Sequence, residues 1–295
     1  MTEAFQAIVL GLLLGGVYAL VASGLTLIFG VMRVINIAHG AFLILGAFIT
    51  WTFWKWLGLD PLIGVLVTTP VVFGIGWAVY KLLVRPIRSA PMSSTVLLTF
   101  GLALVVEGVM GTIWGNNSTS IRPGYVDQSF HLGALFLPKA QVYGGVLAVV
   151  VLIALRLVLN KTWLGRAIRA ASTNPASAQL VGIKVTSVAA VVFGLGLAAA
   201  GAGGAIVGVL YPFVPGSHYL WIARLLAIVV LGGLGSMEGA VIAALIFGFA
   251  ETFTAVYVSP AWATAVPYLI VFAVLLLRPQ GLLGTKLRDD AVATA

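Results

Sequence analysis

A chain of 295 residues that is 61% hydrophobic and only 8% charged has too little polar surface for a soluble fold, where about 25% of residues are charged. It reads as an integral membrane protein, with long, uniformly apolar stretches that suit helices rather than barrel strands. The net charge of +8 lies between those stretches, as the positive-inside rule requires, which argues against a nucleic-acid surface; the absence of cysteine excludes disulfides, thiolate metal sites and thiol catalysis.

The opening MTEAFQ has no basic stretch, so no cleaved signal peptide is expected. The first apolar run, near 6–29, leads into Gly30-Val31-Met32-Arg33-Val34-Ile35-Asn36-Ile37-Ala38-His39-Gly40-Ala41-Phe42. Arg33 falls near the end of that span and can snorkel to the interface. Asn36 and His39 are three apart and are expected to share a helix face that looks into the bundle or a water-filled path, because polar groups facing lipid go unpaired. Two readings of the pair stay open: satisfying backbone groups at a helix break while joining helices, or lining a transport path. A proton relay through His39 is a third.

Further spans are expected near 35–57, 62–80, 93–114, 141–159, 187–211, 221–257 and 263–278. The run 221–257 is too long for one straight span, and Gly232-Gly233-Leu234-Gly235-Ser236-Met237-Glu238-Gly239 breaks it, giving a helix to about Leu231 and another from about Ala240. Gly235, Ser236 and Glu238 therefore join Asn36, His39 and Gly40 as candidates for a transport path or helix break. The tripeptides His39-Gly40-Ala41 and Glu238-Gly239-Ala240 form a weak repeat, and interrupted apolar segments in two halves of a chain are a pointer to a transport site. Gly196, Ala200, Gly204 and Gly208, like Ala240, Ala244 and Gly248, fall four apart as close-packing faces do. Glu107 and Glu251 are acids inside spans, expected to pair with a buried donor, Arg224 among them.

Basic residues set the orientation. Lys81, Arg85 and Arg88, then Arg156, Lys161, Arg166, Arg169 and Lys184, then Arg278, Lys286 and Arg288 mark three cytoplasmic places. Counting spans puts the N-terminus outside and the C-terminus in the cytoplasm, with 115–140 an external loop. The segment 160–186 holds Arg166 and Arg169 one turn apart, then Asn174-Pro175, where Pro175 suits the first turn of a second helix. It reads either as a short amphipathic helix that docks into a partner's groove or as a solvated basic loop.

No phosphate-binding glycine loop, dinucleotide fingerprint or zinc-protease motif occurs. Three scattered histidines offer no metal site, and spacing offers no catalytic pair. The chain is expected to bind no cofactor and to be no enzyme.

GLTLIFGVMRVINIAHGAF resembles the signature of LivH-type inner-membrane permeases of branched-chain amino acid ABC importers. The resemblance continues in Leu98-Thr99-Phe100-Gly101-Leu102, in Gly165-Arg166-Ala167-Ile168-Arg169-Ala170, in Leu180-Val181-Gly182-Ile183, in the 231–240 break and in Leu277-Arg278-Pro279-Gln280-Gly281-Leu282-Leu283-Gly284. It implies an all-α polytopic bundle of about 8–9 transmembrane helices, some broken or re-entrant, forming a single permease domain over 1–295. It implies a bacterial inner-membrane location, an external substrate-binding protein, a second permease subunit (LivM-like or a second copy) and two cytoplasmic ATPase subunits holding ATP and Mg. The loop 160–186 matches the coupling helix of such permeases, so Gly165, Arg166, Arg169, Asn174, Pro175 and Gly182 are coupling candidates; Arg169 stands where the common importer pattern has a glutamate. Relatives carrying amides, urea or aromatic acids make those the alternative substrates. A secondary transporter without ATPase partners, an intramembrane enzyme and a passive channel are the competing classes.

Overall fold

The computed structural model describes residues 2–87, 90–133 and 135–284; Arg88, Lys286 and Arg288, three of the orienting charges, lie outside the described residues. Among the described residues twelve α-helices follow in order: α1 (Thr2–Met32), α2 (His39–Leu57), α3 (Pro61–Val79), α4 (Met92–Trp114), α5 (Lys139–Lys161), α6 (Trp163–Thr173), α7 (Pro175–Leu180), α8 (Val185–Leu210), α9 (His218–Gly232), α10 (Met237–Tyr257), α11 (Pro260–Ala263) and α12 (Ala265–Leu277). Among the described residues nine helical segments are long and apolar enough to cross a membrane, the last being α11 and α12 taken together. The break inside 221–257 is present, as a turn over 233–236. The segment 115–138 also holds an antiparallel hairpin, β1 (Ser129–Leu132) and β2 (Leu135–Pro138), which its short alternating runs did not announce.

Residue size explains the packing. Without a hydrophobic effect between helices in lipid, close backbone approach does the work. Gly24 of α1 lies on the Gly196 carbonyl of α8, and Gly203 lies on Val21. Gly204 of α8 sits against the Leu43 backbone and Gly208 against Ala47, both in α2. Gly11 and Gly15 of α1 meet Phe249 and Leu245 of α10, and Gly248 packs on Gly11 and Gly15. The expected small-residue faces are thus contact faces, with α1 and α8 at the centre and many of the exposed apolar side chains on α3, α4, α5 and α12.

One end of the bundle carries Lys81, Arg85, Arg156, Lys161, Arg166, Arg169 and Lys184 and is called the basic end below. There Gly235 of the 233–236 turn meets Gly30 of α1, and the amides of Leu282 and Leu283 donate to the carbonyls of Leu231 and Gly232 at 2.8 and 3.0 Å. At the opposite end the amide of Phe136 donates to Gln6 near the start of α1. There too the hydroxyl of Tyr125 donates to Asp60 Oδ1, which also accepts from the Leu62 amide and so caps the start of α3. Burial, with the Asp60 carboxylate beside it, pushes the Tyr125 phenol above its usual range, so the hydroxyl stays a donor.

Candidate translocation site

The expectation that Asn36 and His39 share a helix face is corrected. The helix of α1 stops at Met32, residues 33–36 are non-helical, and α2 starts only at His39. Arg33 is the cause: it adopts φ +53°, a left-handed conformation that ends a right-handed helix. Its side chain is exposed at the basic end.

The chain then doubles back into the bundle. His39 Nε2 lies 3.1 Å from the Val21 carbonyl, so Nε2 carries the donated proton. Val21 precedes the end of α1 by eleven residues, roughly 16 Å at 1.5 Å per residue. Six residues spanning at most about 20 Å cover that climb. α2 therefore begins near the middle of a hydrocarbon layer about 30 Å thick.

Irregular backbone at that depth must find partners within the protein, and Thr99 supplies two. Its Oγ1 accepts from the Ile37 amide at 3.2 Å and lies 3.2 Å from the Ile35 carbonyl, binding the break to α4. The Asn36 carbonyl accepts from the His39 amide. The Asn36 side chain is fully buried, yet neither amide atom has a hydrogen-bond partner among the described residues, and the same holds for His39 Nδ1 and Ser23 Oγ.

A second helix begins inside the bundle, which the sequence reading missed. Tyr211-Pro212-Phe213-Val214-Pro215-Gly216-Ser217 follows α8. Phe213 pairs with Thr119 at the opposite end and packs edge-on against Phe48, and from there the chain descends to His218. A Cβ on Gly40 would lie 2.6 Å from the His218 carbonyl and 3.0 Å from Ile222 Cβ. The first turns of α2 and α9 therefore touch. The two prolines and the glycine before His218 were the available signal, since each breaks a helix or relaxes its backbone.

Glu107 of α4 closes this region. Its Oε2 lies 3.0 Å from His218 Nε2 and accepts from the Tyr219 hydroxyl at 2.9 Å. A carboxylate beside the first turn of α9 is also favoured by the helix dipole. Glu251 is handled differently. It pairs with Arg224 Nη2 at 3.2 Å, as the sequence reading allowed, and accepts from the Tyr18 hydroxyl at 2.7 Å. The Arg224 guanidinium lies 5.2 Å from the ring centres of Tyr18 and Trp221, which adds cation–π attraction to the pair.

The remaining candidates fall elsewhere. Gly235, Ser236 and Glu238 lie at the basic end, away from Asn36, His39 and Gly40. Ser236 Oγ accepts from the Gly239 amide at 3.1 Å and caps α10. Glu238 meets Arg156 at 3.5 Å with 75% of its side chain exposed, an arrangement worth little.

The segment 160–186 forms α6 and α7, joined by a bend. Thr162 caps α6 and Asn174 caps α7, with Pro175 at its first position. α6 lays Ala167, Ile168 and Ala171 against Leu27, Leu155, Val188 and Val192, with Gly165 buried beside them. A Cβ on Gly165 would overlap the Leu159 carbonyl, to which Arg169 Nη1 donates. Arg166 is exposed. Gly182 turns the chain with φ +83°, and Leu180 and Val181 stand exposed beside it. A cavity of about 330 Å³ separates this bend from the ends of α1 and α3, lined by Met32, Val34, Tyr80, Ala171, Pro175 and Gln179 among others.

Residues 7–275 match the family model described as branched-chain amino acid transport system / permease component. The chain belongs to that family. It is 28% identical over 292 residues to the high-affinity branched-chain amino acid transport system permease protein BraD of Pseudomonas aeruginosa, covering 95% of each. To the permease protein LivH of Escherichia coli it is 26% identical, covering 93% of each. To a probable branched-chain amino acid transport permease protein LivH of Methanocaldococcus jannaschii it is 30% identical, covering 90% of this chain and 88% of that one. No solved structure matches the chain. As a transport permease component it is a multi-pass membrane protein, and its role is movement of a solute rather than catalysis.

Proposed function

We propose that this chain is the membrane-spanning subunit of an ATP-driven importer for branched-chain amino acids, moving solute delivered by an external binding protein by alternating access. Family membership over 7–275 carries the reading. The relatives named above favour branched-chain amino acids over amides, urea or aromatic acids, and favour it equally over an ATP-independent secondary transporter.

In this reading the basic end faces the cytoplasm, the N-terminus lies outside and the C-terminus inside, in the inner membrane of a bacterium. The bend between α6 and α7 is the coupling element. Its packed face ties it to α1, α5 and α8, while exposed Leu180 and Val181 meet a groove on an ATPase subunit. ATP and Mg bind on two such subunits, not on this chain. Closure of the ATPases pushes on α6, whose hydrogen bond from Arg169 to Leu159 passes the motion to α5. Gly165, Asn174, Pro175 and Gly182 shape the bend, and Arg166 faces the partner. A second permease subunit, LivM-like or another copy, completes the path, and the meeting point of α2 and α9 lines it. Helices that start inside the bundle give two elements able to rock without exposing helix interiors to lipid. Lipid covers the outer faces, and no nucleic acid is a partner.

Gentle purification from the native membrane, followed by reconstitution, tests this. Co-purifying ATPase subunits and a second permease, with leucine uptake that needs ATP and the binding protein, are the expected result. A chain that reproducibly comes alone and moves leucine without ATP overturns it.

A further inference from the structure

Glu107 is a carboxylate that the fold holds at an open face inside the membrane layer. It stands seven residues before the end of α4, about 10 Å along the axis from that end. Its side chain is 28% exposed, and Tyr219 beside it is 45% exposed. An acid facing hydrocarbon at that depth is costly, and such residues face a bundle interior or a water-filled cavity. An α4–α9 face that borders a second permease subunit meets that requirement.

The two oxygens differ. Oε2 is occupied by His218 Nε2 and the Tyr219 hydroxyl, which fixes the plane and direction of the carboxylate. Oε1 has no hydrogen-bond partner among the described residues, and it is bordered by Gly216, which has no side chain to cover it. One turn and two turns back along α4, Leu104 and Phe100 are exposed, with Leu220 exposed on α9. The surface thus offers one oriented anionic acceptor next to an apolar strip. A branched aliphatic amino acid presents the complement: one ammonium donor on the carbon that carries an aliphatic side chain.

We propose that Glu107, oriented by His218 and Tyr219, receives the α-ammonium group of an amino acid on the translocation path, with the aliphatic side chain laid along Phe100 and Leu104. This rests on the importer reading above. His218 and Tyr219 are positioning residues; Glu107 is the group that touches substrate. The contact is made in one of the alternating states and released in the other, so affinity at this point is low by design of the cycle.

The chain has no cysteine, so Leu104→Cys places a single thiol beside the site. The test uses the full transporter in lipid nanodiscs, counting label on this chain alone, with Glu107 intact. L-leucine is expected to slow maleimide labelling of that thiol, and 4-methylpentanoate, which has the same side chain without the ammonium, to leave it unchanged. Protection by both compounds alike, or by neither, overturns the proposal. In proteoliposomes Glu107→Gln is expected to lower ATP-driven leucine uptake by about tenfold or more, as loss of a charge-assisted contact predicts, and Glu107→Asp to retain more than Gln does. Uptake by Glu107→Gln at the wild-type rate overturns the proposal while the importer reading stands. Failure of the wild-type transporter itself to import leucine with ATP and its binding protein removes both, and is told apart by that control.

Discussion

The chain interrupts its helices at 33–38 and at 233–236, and the two breaks are built on opposite principles. The second lies at the basic end, where water or headgroups can reach it. Its glycines supply the conformations required, Gly233 and Gly235 at φ +100° and +83°, Ser236 caps the next helix, and Glu238 reaches Arg156 near the surface. The first is carried to mid-bundle. It turns on a non-glycine residue at positive φ, exchanges hydrogen bonds with Thr99 on another helix, and leaves the Asn36 side-chain amide buried without a partner among the described residues. A break that only reverses the chain is satisfied locally. One that starts a helix in the middle of a bundle depends on distant residues and keeps polar atoms in reserve.

Four substitutions sharpen that contrast. Gly40→Val should have the largest effect, because its Cβ meets the His218 backbone rather than a movable side chain; a loss of ~3 kcal/mol or more, or of folded protein altogether, is expected. Thermal unfolding in detergent reads it, and a wild-type midpoint would show that α2 and α9 do not touch. Asn36→Leu should raise stability by ~1–2 kcal/mol, since it replaces an unpaired buried amide with an apolar group of similar size. A drop in the same measurement would mean that the amide is held in the resting state. Ser236→Ala should cost about 1 kcal/mol, the usual value of a helix cap, and hydrogen exchange at the Gly239 amide should rise; unchanged exchange would remove the cap. Glu238→Gln should shift the midpoint by less than about 0.5 kcal/mol, and a larger change would place that carboxylate in a tighter site than its exposure allows.

The acids show the same division between reach and partner. Glu251 is enclosed by Arg224 and Tyr18 with 16% of its side chain exposed. Removing one member of such a pair strands the other charge, a loss of about 3–5 kcal/mol. Glu107 is tethered through one oxygen and left open through the other, which suits a group that must bind and release.

Much was legible from residues alone, and for identifiable reasons. Span positions followed from runs of about 20 apolar residues, because the thickness of the layer sets helix length. The 233–236 turn followed from its glycines, and the α6–α7 bend from Asn174-Pro175, since capping and φ restriction act within a few positions of the residue that causes them. The pairing of Glu251 with Arg224 was foreseeable because a buried acid in lipid demands a donor. Tertiary structure alone decided the rest. Asn36 and His39 look like neighbours on one helix until Arg33 turns the chain and Thr99, sixty-three residues after Asn36, binds the extended segment. His218 looks like a loop residue until Gly40 of α2 is found against it. Periodicity reports which face a residue takes if its helix continues. Whether the helix continues, and at what depth it starts, depends on hydrogen-bond partners supplied by other helices, and no local pattern carries that information.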